Sequence, residues 1–185
     1  MVVEILKVKD RLKLDLNDLI TRPIGVKFYK EVKKLINKIN TNEIVLMNFE
    51  GVNVADPSFL DEFIVKIILE SRGKNRSYYI KLANFNEISS MNLRSVFDSY
   101  YNFKNERLAV ATDEIINNEK YCIGSVDERE ILIMNYLHIN KSGSISNIAE
   151  FIEQDLENTK NLLEGLYEMR LVRKDENDDQ KYWGI

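Results

Sequence analysis

The sequence predicts an α/β fold, a mixed sheet with covering helices, followed by a smaller unit of three helices and a β-hairpin. Up to about residue 112, short apolar runs rich in β-branched residues alternate with amphipathic helical patterns of ten to fifteen residues. Such alternation indicates strands joined by crossover helices. From residue 127 the helical patterns follow one another closely, and the chain ends in two strand patterns around a polar turn. We therefore predict domains at 1–112 and 127–185, joined by a linker at 113–126.

The chain begins with two short predicted strands. Apolar residues are spread over 2–8, and apolar and polar residues alternate over 11–16, as they do in half-buried strands. Lys9-Asp10 is the predicted turn between them.

Three helices and three further strands complete the first predicted domain. The first helix has Pro23 in its first turn, where the missing N–H costs nothing, and an apolar face from Ile24 to Ile39. The near-continuous apolar run at 43–49 predicts a central strand buried on both faces. The remaining elements are a helix from about Ser58, a strand at 78–83, a third helix capped by Ser89 or Ser90, and a strand at 108–111. The predicted order is β-β-α-β-α-β-α-β.

Residues 113–126 interrupt this regular pattern. They include Asn117-Asn118 and Gly124-Ser125, residue types that favour turns over strands. This composition is the basis for the predicted linker.

The second predicted domain contains three short helices. The first covers about 129–138. Ser146 is the predicted N-cap of a second helix over 147–153, and Asp155 that of a third helix running to about Met169. Strands at 171–174 and 181–185 are predicted to form the hairpin.

Four stretches of this second domain resemble the winged helix-turn-helix family. They are Ile145-Ser146-Asn147-Ile148-Ala149, Asn158-Thr159-Lys160, the helix exit from Leu166 to Val172, and Tyr182-Trp183. Arg170 stands where such sequences often have Gly. The resemblance implies that the third helix enters the major groove and that the hairpin touches the DNA backbone. The nucleic-acid-binding candidates are then Asn158, Lys160, Asn161, Lys174 and Lys181, with the two asparagines able to pair with adenine edges.

The charge of the second domain argues against DNA binding by that domain alone. Residues 127–185 carry seven Lys and Arg against thirteen Asp and Glu, a net charge of −6, whereas residues 1–126 carry +2. Because DNA affinity depends on cations that neutralise phosphates, a DNA-binding role requires a dimer or help from the first domain. The alternative is a winged helix that docks a protein.

Three stretches of the first domain resemble the STAS-like domain of unknown function over about residues 10–112. They are Thr21-Arg22-Pro23-Ile24-Gly25, Met47-Asn48-Phe49-Glu50-Gly51-Val52 and Asp56-Pro57-Ser58-Phe59-Leu60-Asp61-Glu62-Phe63. Asn48 stands where the family usually has Asp. The wider STAS relatives include anti-sigma-factor antagonists, which bind a kinase-like partner and are switched by phosphorylation of a serine at this helix start. Ser58 occupies the corresponding place.

Ser58 also has a purely structural interpretation. As N-cap of the second helix, with Asp61 three residues on, it would hold the free N–H groups of the first turn. Asp56 competes for that position, with Pro57 as the first helical residue, and the sequence leaves the choice open. Phe59 replaces the small residue typical of the antagonists, and Asp61 and Glu62 would repel a phosphate.

The candidate partner-binding residues are Arg22, Asp56, Asp61 and Glu62. For Arg22, contact with a partner or an anion competes with an ordinary surface position and with a structural ion pair to Asp61 or Glu62. The sequence does not rank these alternatives.

The composition favours a non-enzymatic protein without metal or cofactor. Cys122 and His138 are the only residues of their types, too few for the usual zinc ligand sets, and no Gly-rich phosphate loop or nucleophile–base set is evident. No apolar run approaches the roughly 20 residues of a membrane span, and the first residues do not look like a signal peptide, so the expected compartment is the cytoplasm.

Two functions follow from these expectations. In the first, the STAS-like domain binds a partner protein, with a kinase-like ATPase regulator as the candidate, and the winged helix gives the output. In the alternative, the chain is a DNA-binding transcriptional regulator that recognises duplex DNA, and the first domain senses a signal or forms a homodimer.

Overall fold

A computed structural model describes residues 1–15, 18–73, 78–116 and 120–185. The predicted strand residue Leu16 and the predicted linker residues Asn117-Asn118 lie outside these ranges. The chain divides into two compact units, Met1–Ser125 and Val126–Ile185. None of the helices in the described ranges combines the length and the hydropathy that a membrane span requires.

The first unit is built on a five-stranded mixed sheet. Its strands are β1 (Val2–Glu4), β3 (Ile44–Asn48), β5 (Tyr79–Ala83), β6 (Ala109–Ile116) and β7 (Lys120–Gly124), in the spatial order β1-β3-β5-β6-β7. The first four are parallel, and β7 runs antiparallel to β6. Two further short strands, β2 (Asp18–Leu19) and β4 (Val54–Ala55), form a separate parallel pair.

Helices of the first unit pack against one face of this sheet. They are α1 (Ile5–Arg11), α2 (Arg22–Ile36), α3 (Pro57–Leu60), a π-helical stretch (Asp61–Val65), α4 (Lys66–Ser71) and α5 (Glu87–Lys104). Inward residues of the strands, such as Val45 and Leu82, share one apolar core with helical residues such as Phe28, Phe63 and Phe97, and all five are fully buried. Pro23 lies in the first turn of α2, as predicted.

The predicted strand pair at the start of the chain is wrong in part. Lys9-Asp10 is not a turn but belongs to α1, and residues 11–15 of the second predicted strand form no strand. Ile5 and Val8, three residues apart, both face the core, so the apolar spacing fits one side of a helix. The prediction that the central strand is buried on both faces is also wrong in part, because β3 is buried on one face and only half-buried on the other.

The predicted linker at 113–126 is also wrong. β6 extends to Ile116, and β7 follows it, with Cys122 and Ile123 fully buried. The strand arises from antiparallel pairing with β6, a contact between strands that composition does not reveal. Ser89 and Ser90 do not cap the third helix either, because Asn86 is the N-cap and accepts from the Ser89 N–H at 2.9 Å.

The second unit combines three helices with a three-stranded antiparallel sheet. Its elements are α6 (Glu128–Asn140), β8 (Ser142–Ser144), α7 (Ile145–Phe151), α8 (Leu156–Glu168), β9 (Val172–Lys174) and β10 (Lys181–Gly184), with the sheet order β8-β10-β9. Asp155 caps α8, as predicted. The predicted cap Ser146 is wrong: Ser144 accepts from the Asn147 N–H at 3.2 Å, and the helix begins at Ile145.

Candidate functional site

An open cleft of about 390 Å³ lies in the first unit between the start of α3 and the C-terminal half of α5. It contains three of the residue positions that the sequence analysis singled out, Arg22, Ser58 and Asp61. The full lining is Arg22, Pro57, Ser58, Asp61, Ser95, Val96, Ser99, Tyr100, Phe103 and Lys104.

Asp56 organises the N-terminal wall of the cleft. Its Oδ1 accepts from the Phe59 N–H at 2.6 Å, and its Oδ2 accepts from the Thr21 N–H at 3.2 Å. One carboxylate therefore joins the start of α3 to the residue that precedes α2. Asp56, not Ser58, is the N-cap, because Pro57 suits the first helical position and leaves the cap to the residue before it.

Ser58 stands one residue inside the helix and is half-buried. Its Oγ donates to the Asp56 carboxylate, 3.0 Å from Oδ1. The predicted capping role of Ser58 is thus wrong. Its hydroxyl instead lines the cleft, where its proton is already donated to the Asp56 carboxylate.

Arg22 forms the structural ion pair that the sequence left open. Its guanidinium Nη1 donates to Asp61 Oδ2 at 2.8 Å and to Glu62 Oε1 at 2.9 Å, while the side chain stays 58% exposed. These carboxylates raise the pKa of Arg22. The Glu62 carboxylate also accepts from Lys66, and the two cations, Lys66 first, lower the pKa of Glu62.

Tyr100 holds the second oxygen of the Asp61 carboxylate. Its hydroxyl donates to Asp61 Oδ1 at 2.9 Å, so Asp61 joins α2 to α5. Burial, followed by the hydrogen bond to Asp61, raises the pKa of Tyr100 to about 12. Lys104 places its ammonium 3.7 Å from the centre of the Tyr100 ring, a cation–π contact.

The α5 wall was not predicted from the sequence. Tyr100, Ser95, Ser99 and Phe103 were not among the predicted site residues, yet all four line the cleft. The serine hydroxyls lie beside a phenyl ring that is 86% exposed. Their spacing of four residues on α5 was the available signal, but only the fold places that helix opposite Ser58.

A close approach of α2 to α3 brings the charged residues together. A Cβ on Gly25 would lie 2.7 Å from the Phe59 carbonyl oxygen and 2.8 Å from Glu62 Cβ, so glycine allows the two helices to touch. Asp61 and Glu62 lie on the π-helical stretch that follows α3. Such wide turns are frequent at functional sites.

The cleft carries little net charge. Two cations, Arg22 and Lys104, face the carboxylates of Asp61 and the adjacent Glu62, and the remaining lining is hydroxyl, aromatic and aliphatic. Within the described ranges, no three His, Cys, Asp or Glu side chains are grouped so that they could hold a metal ion.

The nucleic-acid candidates of the second unit fall into two groups. Lys160 and Asn161 are exposed on α8. Asn158 is exposed too, but its side-chain amide donates to Asp155, the N-cap of α8, at 2.5 Å. Lys174 is half-buried and donates to Glu164 at 3.1 Å. The Lys181 ammonium lies 4.5 Å from the ring centre of Trp183.

The first unit thus belongs to the mixed α/β class, with a polar cleft at a helix start. The family model of the STAS-like domain of unknown function (DUF4325) matches residues 25–88. These residues include Asp56, Ser58, Asp61 and Glu62, so this part of the first unit is similar to the STAS-like domain. No curated protein matches the chain at a significant level.

Proposed function

We propose that the protein is a non-enzymatic regulator whose STAS-like unit binds a partner protein through the cleft between α3 and α5. The observation that carries the proposal is the cleft itself, a concave and nearly neutral surface with an exposed phenyl ring at Phe103 and hydroxyls at Ser95 and Ser99. Exposed aromatic groups beside satisfied polar groups are typical of protein-binding surfaces.

In this proposal the charged cluster shapes the site. Asp61 is held from two sides by Arg22 and Tyr100, which fixes the wall before a partner arrives. Preorganisation of this kind lowers the entropy lost on binding. The candidate partner in this proposal is a kinase-like ATPase regulator.

Ser58 is the proposed position of control. A phosphate on its Oγ would stand beside the Asp56 carboxylate, which now accepts from that hydroxyl at 3.0 Å. Repulsion between the two groups would disturb the cap of α3 and the cleft wall together. Phosphorylation is therefore expected to weaken partner binding.

We further propose that the second unit is a winged helix-turn-helix that gives the output in the cytoplasm. The order α6-β8-α7-α8-β9-β10, with a hairpin at the end, supports this assignment. The net charge of −6 over residues 127–185 favours a protein as the ligand of this unit.

Affinity capture with the full chain as bait, from a lysate of the organism that encodes it, tests the partner proposal. In Ser99→Trp the indole fills the cleft, so the amount of the specifically captured protein is expected to fall at least tenfold. The control Lys30→Trp, at an exposed position of α2, is expected to capture as much as wild type. Equal capture by wild type and Ser99→Trp, or no specific capture at all, would count against the cleft.

Duplex DNA binding is the second candidate function. The observation that favours it is the exposure of Lys160 and Asn161 on α8, the helix that would enter the major groove. Fluorescence anisotropy with a pool of duplexes at 50 and 200 mM salt tests it. Affinity that falls steeply with salt, and further with Lys160→Glu, supports DNA binding, whereas no binding at the lower salt excludes it.

A further inference from the structure

Helix α5 presents an outward row of side chains spaced four residues apart. Met91, Ser95, Ser99 and Phe103 follow one another along it, and all four are exposed, Met91 to 63% and Phe103 to 86%. Residues four apart form a ridge on a helix surface. Large apolar side chains thus flank two small ones on a single ridge.

This ridge is complementary to itself in the antiparallel direction. When two copies of α5 are related by a two-fold axis midway between Ser95 and Ser99, each Ser95 faces the other copy's Ser99. The same register places each Met91 against the other copy's Phe103. Small residues at the centre allow close approach, and ridges of this type interlock at a crossing angle of about −50°.

The neighbouring row adds charge complementarity. Arg94 and Asp98 lie on one flank of the ridge, and neither has an ion-pair partner within the described part of the chain. A two-fold axis across the helices keeps this flank on the same side of both copies. In the register set by the serines, Arg94 and the other copy's Asp98 are offset by only two residues, about 3 Å along the helix.

We propose that this face of α5 binds a second copy of the chain, forming a two-fold homodimer with Met91 against Phe103 and Arg94 against Asp98. A single pair of crossing helices buries less than the roughly 800 Å² per partner of a standard interface. The dimer is accordingly weak, with dissociation at micromolar concentrations.

The dimer proposal does not depend on the partner proposal. Ser95, Ser99 and Phe103 line both the cleft and the proposed interface, so a second copy covers the mouth of the cleft. The homodimer and the partner-bound form therefore exclude each other.

Sedimentation equilibrium of the full chain over 1–300 μM tests the dimer. Wild type is expected to self-associate, whereas Arg94→Asp or Asp98→Arg alone dissociates at least tenfold more readily, because each places like charges opposite each other. An equimolar mixture of the two variants is expected to restore association, because both contacts of the mixed dimer pair opposite charges. One contact joins the introduced Asp at position 94 of one copy to the introduced Arg at position 98 of the other, and the second joins the unchanged Asp98 to the unchanged Arg94. Lys38→Asp, an exposed position outside α5, is the matched control and associates like wild type.

Three outcomes overturn the proposal. The first is a monomer at every concentration. The second is a dimer that the charge reversals leave unchanged, which would place the interface elsewhere. The third is a mixture of the two variants that associates no better than either alone. Far-ultraviolet circular dichroism of each variant verifies that the exposed substitutions leave the fold intact.

Discussion

At the scale of single residues, two carboxylates hold the candidate site together. Asp56 joins Thr21 to the first turn of α3. Asp61 receives one hydrogen bond from Arg22 on α2 and another from Tyr100 on α5. Exposed ion pairs contribute little to stability, so the Arg22 contacts position the cleft wall rather than stabilise the unit, whereas the cap at Asp56 serves both purposes.

Replacing Asp56 by Ala is expected to lower the free energy of unfolding by about 1–2 kcal/mol, as for other lost N-caps. Ser58→Ala removes only a donor to the same carboxylate, so its cost is smaller, about 0.5 kcal/mol or less. Urea unfolding followed by circular dichroism measures both. A larger cost for Ser58→Ala than for Asp56→Ala would return the capping role to the serine.

Tyr100 is expected to make stability depend on pH at the alkaline end. Because the folded state raises its pKa to about 12 from the ordinary value of 10, the neutral phenol is favoured by folding. Its contribution is complete below pH 10 and is lost as the pH rises through 12. The difference in unfolding free energy between wild type and Tyr100→Phe should therefore be about 1 kcal/mol at pH 8 and shrink above pH 10.

Absorbance titration of the tyrosines provides an independent measurement, since Tyr100→Phe removes one high-pH ionisation. Tyr101→Phe, a half-exposed neighbour, is the control. A stability difference for Tyr100→Phe that stays constant from pH 8 to pH 12 would contradict the assignment.

At the scale of secondary-structure elements, the site depends on how closely α2 approaches α3 and the π-helical stretch. Gly25 has no room for a Cβ, since that atom would lie 2.7 Å from the Phe59 carbonyl oxygen. The aromatic rings of Phe28, Phe59 and Phe63 pack edge to face or tilted beneath this contact, with centroids 5.2–5.8 Å apart. A shift of α2 would therefore disturb both the core and the Arg22 ion pair.

Gly25→Ala is expected to destabilise the first unit by about 1–3 kcal/mol, the usual cost of overpacking, although Ala is the better helix former by about 1 kcal/mol. Gly165 of α8 is the matched control. The atom nearest to a Cβ added at Gly165 is Glu130 Oε1, 3.9 Å away, so Gly165→Ala should be neutral or stabilising. Chemical denaturation measures the free energy of unfolding of both variants. An unchanged value for Gly25→Ala would show that α2 can move aside without cost.

At the scale of the whole molecule, the chain forms two compact units, and the first ends with β7 rather than at residue 112. β7 pairs with β6, and Ile123 joins the core that α1, α2, α4 and α5 share with the sheet. Without β7, β6 would still pair with β5 but would expose its other side as a free sheet edge, a template for aggregation.

A fragment of residues 1–125 is expected to unfold cooperatively, whereas a fragment of residues 1–112 should be largely unfolded or aggregated. Circular dichroism and size-exclusion chromatography compare them. Equal cooperativity of the two fragments would mean that β7 is dispensable and that residue 112 is a true boundary.

The sequence by itself determined the class of fold and much of its order. The apolar face of α2, the run that becomes β3, the cap at Asp155 and the closing hairpin were all predicted, because each follows from periodicity or from a capping residue within a few positions of the chain. The STAS-like resemblance was predicted over about residues 10–112, and the family model matches residues 25–88. The matched range contains two of the three predicted motifs, those at 47–52 and 56–63, and only the last residue of the motif at 21–25. Signals of this kind are local, so they survive without knowledge of packing.

Only the tertiary structure decided the elements and contacts that depend on residues far apart. α1 replaced a predicted strand because Ile5 and Val8 share one core, and β7 replaced a predicted linker because β6 offered a free edge. The choice of Asp56 over Ser58, and the pairing of Tyr100 with Asp61 across 39 positions, likewise follow from geometry between segments. Hydrogen bonds and packing contacts form between residues that are close in the folded protein, whereas a sequence pattern describes only residues that are close along the chain.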